Sequence, residues 1–153
     1  MLSVLTKYFG NLSCRPEAVF EFPAGLPAFE DEKRFVLIEL PENSPLVFLQ
    51  SLTRPTLCFL AFPILVVDRE YKLAVSVEDL GALDLDPGRQ PELGRDVLVL
   101  ALVSLHDGFS PTANLMAPIV LNLNTRHGLQ AIRQDRVYSH QHLVESSSRE
   151  FPC

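Results

Sequence analysis

The chain has 153 residues, of which 47% are hydrophobic and 21% charged, a composition that fits one globular domain with a sizeable core. Its net charge of −6 disfavours direct binding to nucleic acid, because neutralising phosphates requires clustered Lys and Arg. The acidity is concentrated between Glu17 and Asp96, which hold 15 acidic and 7 basic residues, and it favours a basic protein partner.

The three cysteines, Cys14, Cys58 and Cys153, lie far apart in the sequence. Their spacing indicates neither a zinc site nor a disulfide framework. The first ten residues lack the charged and apolar regions of a signal peptide, and no apolar run reaches the roughly 20 residues of a membrane span. We therefore expect a cytoplasmic protein.

The first third of the chain predicts short strands separated by turns. Leu2–Phe9 is a candidate strand that ends in a Gly10-Asn11 turn, and Ala18–Phe22 is a second. Two prolines flank Gly25-Leu26 in the segment Phe22–Glu30, so this segment is predicted to be a loop. Its aromatic residues are expected to anchor the loop on the core, and the alternative is exposure to a partner.

The middle of the chain continues the strand pattern. Arg34–Leu40 is apolar on both faces, as an inner strand would be. Leu46–Leu52 and Leu57–Phe62 have the spacing of a hairpin, and Glu70–Val75 is a further candidate strand.

One helix start is well marked. Ser76 can accept a hydrogen bond from the backbone three residues on, and the acids that follow suit a helix N-terminus, so a short helix is predicted near 77–83. The proline-containing segment Asp84–Arg95 is predicted to be a loop. The length and valine content of Val97–Leu105 favour a strand that is buried on both faces.

Thr112–Asn124 has the alternation of a β-strand with one apolar face. Pro118 stands in its middle and cannot donate to a central ladder. We therefore predict an edge strand, or a bulge at Pro118, with asparagines on its outer face. With the other elements, this pattern indicates an all-β barrel or sandwich, followed by a loose tail.

No motif for phosphate binding or nucleophilic catalysis is present. His140 and His142 are predicted to share one face of a strand, where they could bind a metal ion with Asp135 or Cys153; the alternative is a solvated strand. Ser104, His106 and Asp107 are too close in sequence to suggest a catalytic triad. The residues themselves therefore indicate a protein-binding domain.

Several segments and single residues form a recognisable pattern between Leu2 and Leu143: Thr6–Gly10, Phe22–Phe35, Leu49–Leu52, Asp96–Leu105, Thr112–Asn122, Gly128, Gln130 and Tyr138. In this order they resemble the bacterial flagellar assembly factor FliW family. The resemblance implies one β-barrel-like domain over residues 1–143. The residues themselves predict about ten short antiparallel strands with one short helix near 77–83, and a flexible tail at 144–153 that departs from the family.

The resemblance also implies a function without catalysis, cofactor or metal. Members of this family bind flagellin in the cytoplasm, and they bind CsrA, a dimeric RNA-binding protein that represses flagellin translation. Flagellin and CsrA compete for the factor, so export of flagellin frees it to sequester CsrA. The loop Asp84–Arg95, which contains Pro87-Gly88 and Pro91, departs from the family by being longer than its usual link.

Two sets of candidate partner-binding residues follow. The first set consists of acids expected to face the basic surface of CsrA: Glu30, Asp31, Glu70 and Asp79. The second set is expected to capture a terminal segment of flagellin, which is disordered or helical before assembly: Asn114, Met116, Pro118 and Asn122, with Leu26 and Phe29 from the loop. The alternatives are a generic solvated acidic face and asparagines that satisfy neighbouring backbone groups.

Overall fold

A computed structural model describes residues 1–144. Nearly all of the predicted tail 144–153, including Cys153, lies outside the described residues. Within the described residues the strands are β1 (Leu2–Thr6), β2 (Gly10–Cys14), β3 (Val19–Glu21), β4 (Arg34–Glu39), β5 (Val47–Ser51), β6 (Cys58–Pro63), β7 (Val97–Ser104), β8 (Thr112–Ala113), β9 (Ile119–Asn122), β10 (Gly128–Gln130) and β11 (His142–Leu143). The helices are α1 (Ile64–Val67) and α2 (Val77–Ala82).

All strand pairs are antiparallel, and the main sheet runs in the order β10-β9-β7-β6-β5-β4-β3. β8 pairs with the end of β7 and carries β11, while β1 and β2 form a separate hairpin. The two edge strands of the main sheet approach each other at one parallel bridge, between Glu21 and His127. The sheet therefore curls into an incompletely closed barrel, which confirms the predicted all-β, barrel-like fold class.

The curled sheet encloses an aromatic and aliphatic core. Phe22 and Phe35 are completely buried and meet edge to face with ring centroids 5.2 Å apart. Leu49, at the centre of β5, lies opposite Leu37 on one side and Phe59 on the other. Burying each of these large side chains stabilises the fold by roughly 2 kcal/mol. A second cluster, which includes Leu80 and Leu115, packs against the outer side of β7 and β9.

The predicted hairpin and helix are confirmed. β5 and β6 pair antiparallel, with Val47 opposite Ala61. Ser76 caps α2 because its hydroxyl accepts a hydrogen bond from the Asp79 backbone N–H at 3.1 Å. The helix is short because the chain reverses at Asp84, which has a φ of 60°.

The prediction of a strand at Glu70–Val75 is wrong. The backbone partners of this segment are side chains, because Gln90 donates to the carbonyl of Val75 at 3.0 Å and accepts from its N–H at 2.8 Å. The N–H of Lys72 likewise donates to the hydroxyl of Tyr138 at 3.0 Å. An extended segment whose hydrogen bonds go to side chains does not join a sheet.

The first predicted strand also ends early. β1 stops at Thr6, whose hydroxyl donates to the Gly10 carbonyl and accepts from the Phe9 N–H, both at 2.8 Å. These bonds place the turn before Gly10 instead of at Gly10-Asn11, and Gly10 begins β2. The helix α1, which follows Pro63, was not predicted.

Thr112–Asn124 is not one edge strand. It divides into β8 and β9, and the backbone between them turns where the Asn114 carboxamide oxygen accepts from the N–H groups of Met116 and Ala117 at 3.1 and 2.9 Å. β9 is an inner strand between β7 and β10, and all its residues are buried. Pro118 directly precedes β9, so its missing N–H costs the β7–β9 ladder nothing.

Candidate protein-binding surface

Arg133 joins three segments of the chain at one point. Its side chain is only 5% exposed, and its guanidinium donates to the Tyr71 hydroxyl at 3.2 Å, to the Lys72 carbonyl at 2.6 Å and to both oxygens of Asp135 at 2.9 Å. It also lies over the ring of Tyr138, 4.8 Å from the centroid. This set of contacts, which we call the Arg133 node, fixes residues 71–72 against residues 133–138.

A third segment reaches the Arg133 node through backbone carbonyls. The Tyr71 hydroxyl donates to the carbonyl of Leu115 at 2.9 Å, and the N–H of Arg133 donates to the carbonyl of Met116 at 2.9 Å. Burial raises the pKa of Tyr71 against the opposing effect of Arg133, so Tyr71 stays neutral. The hydrogen bond from Arg133 lowers the pKa of Asp135, which keeps this pair ionised at neutral pH.

An open hollow of about 630 Å³ lies beside the Arg133 node. It is lined by Asp68, Glu70, Tyr71, Lys72 and Tyr138. The rings of the two tyrosines among them have centroids 4.4 Å apart. Glu70 is exposed at the hollow, so a partner that enters it meets a carboxylate close to aromatic side chains.

The structure brings together some of the predicted flagellin-binding residues and buries others. Asn114 and Met116 are half-buried near the Arg133 node, whereas Pro118 is buried. Asn122 is 2% exposed; its amide donates to the Leu83 carbonyl at 2.6 Å and its oxygen accepts from two backbone N–H groups. Both asparagines therefore satisfy neighbouring backbone groups, as the alternative reading of the sequence holds. Asn114 and Met116 therefore remain partly accessible to a partner.

The loop between β3 and β4 is anchored on a different part of the core. Leu26 is 2% exposed and Phe29 is half-buried, with its ring 5.6 Å from that of Phe59. Arg54 covers the outer side of Phe29 at 5.8 Å. The expectation that the loop's aromatics anchor it is thus confirmed, and little of Leu26 is left for a partner to contact.

The four predicted CsrA-facing acids lie at the surface but do not form one cluster. Glu30 and Asp31 are exposed on the β3–β4 loop, Glu70 is at the hollow, and Asp79 is half-buried in α2. None of the ion pairs within residues 1–144 involves any of them. Their charges are therefore available to a basic partner.

Sequence reasoning did not identify Arg133 or Asp135 as a structural pair. An arginine followed two residues later by an aspartate occurs on many exposed loops, so the local pattern contains no signal of burial. Tyr138 belongs to the segments that carry the family resemblance, and its contact with Arg133 gives that residue a physical role.

A metal site at the predicted histidines has no geometric support. β11 begins at His142, so His140 precedes the strand and the two imidazoles do not share a strand face. Across residues 1–144 no group of three or more His, Cys, Asp or Glu side chains is arranged to hold a metal ion. Burial raises the pKa of the Cys58 thiol to about 11, so it is a poor nucleophile and metal ligand at neutral pH.

Glu32, in the loop between β3 and β4, makes a pH-dependent contribution to the stability of the fold. Its carboxylate accepts hydrogen bonds from the hydroxyls of Ser51 at 2.6 Å and Thr53 at 2.9 Å, and these bonds lower the pKa of Glu32. A lowered carboxyl pKa stabilises the fold above the unfolded-state pKa, and this stabilisation is lost as the pH falls through the folded-state pKa.

We therefore expect Glu32→Gln to be less stable than the wild type at neutral pH, with the difference shrinking below about pH 4. Urea unfolding from neutral pH to about pH 3 measures this. Glu17→Gln is the control, since Glu17 is exposed and no side-chain hydrogen bond is described for it. A pH-independent difference for Glu32→Gln would contradict the assigned role of the two hydroxyls.

No helix within residues 1–144 is long and apolar enough to cross a membrane. Comparison with known proteins gives consistent matches over nearly the whole chain. The sequence model of the family described as FliW protein matches residues 3–144.

Two curated relatives share the name flagellar assembly factor FliW. The protein of Syntrophomonas wolfei is 33% identical over 143 residues, covering 94% of this chain and 88% of the relative. The protein of Bacillus subtilis is 31% identical over 144 residues, covering 94% and 96%. A solved structure, a crystal structure of the flagellar assembly factor FliW, superposes with a TM-score of 0.82 at 29% identity and covers 96% of this chain and 99% of that one.

Proposed function

The chain belongs to the FliW family, and from that membership we propose that it is a cytoplasmic flagellar assembly factor that binds flagellin and, when free of it, binds CsrA. Binding of CsrA relieves repression of flagellin translation, and no catalytic step is involved. The observation that carries the proposal is the family match over residues 3–144 together with unpaired acids on the surface.

The charge distribution supports CsrA as one partner. Residues 17–96 hold 15 acidic and 7 basic residues, a net charge of −8. An RNA-binding protein presents clustered basic side chains, and an acidic surface accelerates association with them. Once bound, the same field repels RNA phosphates, so the complex excludes mRNA from CsrA.

The exposed groups near the Arg133 node support flagellin as the other partner. Met116, the hollow beside Tyr138 and the exposed side chain of Ile132, which is 56% exposed, all lie on or next to segments that Arg133 holds together. A rigid surface of this kind can bind a segment that is disordered beforehand without paying for its own ordering.

Size-exclusion chromatography of this chain with CsrA, with and without flagellin, tests the proposal. We expect co-elution with CsrA, and displacement of CsrA when flagellin is added in excess. If neither partner co-elutes with the folded chain, the proposed function is wrong. If flagellin and CsrA bind this chain at the same time, the proposed competition between them is wrong, but both remain partners.

Charge reversal tests which acids steer CsrA. We expect Asp31→Lys with Glu70→Lys to slow association with CsrA by about tenfold at low salt and much less at high salt, because exposed charges act mainly on the association rate. Glu17→Lys with Glu42→Lys changes the net charge equally at two other exposed positions and serves as the matched control. Equal effects of the two double variants would mean that only net charge matters.

A further inference from the structure

The hydrogen-bond ladder between β9 and β10 continues beyond the end of β10. The N–H of Ala131 donates to the Pro118 carbonyl at 2.8 Å, and the N–H of Arg133 donates to the Met116 carbonyl at 2.9 Å. The ladder register, with Gln130 opposite Ile119, extends without a break into these two bonds. Residues 128–133 are therefore one extended edge of the main sheet.

The alternation of an antiparallel ladder fixes which backbone groups point outward. Because Ala131 and Arg133 bond inward to the β9 side, the N–H and C=O groups of Gln130 and Ile132 point away from the sheet. On that outer side, residues 1–144 supply no hydrogen-bond partner to either backbone. We call this row of unpaired groups the 130–132 edge.

One face of the 130–132 edge carries no charged side chain or proline that would hinder pairing. Natural edges carry charged side chains, prolines or bulges, or are covered. On that face the side chains of the edge and its continuation are Gln130, Ile132 and Gln134, with Ile132 56% exposed, whereas Ala131 and Arg133 on the other face are buried. The opposite edge strand, β3, by contrast ends in the charged Glu21, whose N–H bonds to the Arg126 carbonyl at 2.8 Å.

The spacing and chemistry of the unpaired groups define the partner. Outward N–H and C=O groups at every second residue are complementary to an extended chain, which supplies acceptors and donors at the same spacing. A second copy of this chain is disfavoured, because two molecules with a net charge of −6 repel each other. A disordered segment of a different protein can supply these backbone acceptors and donors at the lowest free-energy cost.

We propose that the 130–132 edge binds an extended segment of flagellin by β-strand addition, with apolar side chains of that segment packing against Ile132. This proposal rests on the proposed function, since it takes flagellin as a partner. The Arg133 node stabilises the edge from inside the fold, because Arg133 is both a ladder residue and the centre of the node.

Amide hydrogen exchange of the wild-type protein, followed residue by residue by NMR, tests the proposal directly. In the free protein, the N–H groups of Gln130 and Ile132 should exchange fast and those of Ala131 and Arg133 slowly, which gives an internal control within one segment. Addition of flagellin should slow exchange at Gln130 and Ile132 by at least about tenfold, as new backbone hydrogen bonds form.

A pair of variants gives an independent test. Ile132→Pro removes only an outward N–H, and an extended chain accommodates proline, so the inward ladder stays intact. Ile132→Ala removes the side chain but keeps the N–H. We expect Ile132→Pro to weaken flagellin binding by about tenfold more than Ile132→Ala, at an unchanged circular dichroism spectrum. If Ile132→Pro does not fold, the hydrogen-exchange experiment on the wild-type protein still tests whether flagellin binds at the 130–132 edge.

Three results would overturn the proposal, and they are distinguishable. Flagellin binding with unchanged exchange at Gln130 and Ile132 would place flagellin elsewhere and leave the proposed function intact. If these two amides exchange slowly in the free protein, and still more slowly at higher protein concentration, a second copy of the chain covers the edge. A complete lack of flagellin binding by the folded chain would overturn this proposal and the flagellin half of the proposed function together.

Discussion

Replacing Arg133 by alanine is expected to lower the free energy of unfolding by about 3 kcal/mol. The substitution removes a buried guanidinium that donates to the Tyr71 hydroxyl and the Lys72 carbonyl and lies over the Tyr138 ring. It leaves the partly buried Lys72 carbonyl without this donor and a space where the side chain was, and each of these costs stability. Urea denaturation at neutral pH measures the change.

The partners of Arg133 predict a graded series. Asp135→Asn should lower the free energy of unfolding much less than Arg133→Ala does. The Asp135 side chain is 41% exposed, so water replaces part of its interaction with Arg133. Arg136→Ala is the matched control, since Arg136 is exposed and forms no ion pair within the described part of the chain, and it should stay within about 0.5 kcal/mol of the wild type. Equal stabilities of Arg133→Ala and Arg136→Ala would show that the Arg133 node contributes nothing to folding.

Gly25→Ala is expected to destabilise the protein by about 3 kcal/mol. Gly25 has a φ of 66°, in the left-handed region that costs a residue with a Cβ about 1 kcal/mol. A Cβ at this position would also lie 2.5 Å from the carbonyl oxygen and 2.6 Å from the Cα of Glu30. These are backbone atoms of the same tight loop, so the loop must open to admit the methyl group.

Gly10 separates the conformational effect from the steric one. It has the same φ of 66°, but a Cβ built on it has no neighbour within 4 Å. Gly10→Ala should therefore cost only about 1 kcal/mol. Thermal or urea unfolding of both variants gives the difference between them. If the two variants are equally stable, the β3–β4 loop relaxes freely around the new methyl group and its conformation is not tightly constrained.

Gly25→Ala and Arg133→Ala affect two different regions of the surface. Gly25 shapes the loop that carries Glu30 and Asp31, whereas Arg133 supports the hollow at Glu70 and the 130–132 edge. The loop and the node pack on different core clusters. Under conditions where each variant remains folded, Arg133→Ala is therefore expected to weaken the proposed binding of flagellin more than Gly25→Ala does.

Local signals predicted those elements whose hydrogen bonds or turns are made within a few residues. The Ser76 cap, the β5–β6 hairpin and the irregular loop between β3 and β4 are of this kind. The long apolar run that forms β7 also identified an inner strand correctly, because continuous apolar character requires cover on both faces. The all-β class follows from these elements together.

Alternation failed where the partner of the backbone lies far along the chain. Residues 70–75 read as a strand, but Gln90 and Tyr138 take up their backbone groups. Thr112–Asn124 read as one edge strand, but the Asn114 side chain turns the chain and places β9 between β7 and β10. Neither result is visible in the local pattern of apolar and polar residues.

The sequence by itself determined the fold class, the short capped helix, the acidic character and the family resemblance, because each rests on composition, local hydrogen bonding or the order of motifs. Only the tertiary structure decided that Arg133 is buried, that Asn122 holds the Leu83 carbonyl and that the backbone of Gln130 and Ile132 is unpaired. The physical reason is that burial and pairing depend on contacts across 39 to 62 residues, which no local spacing encodes.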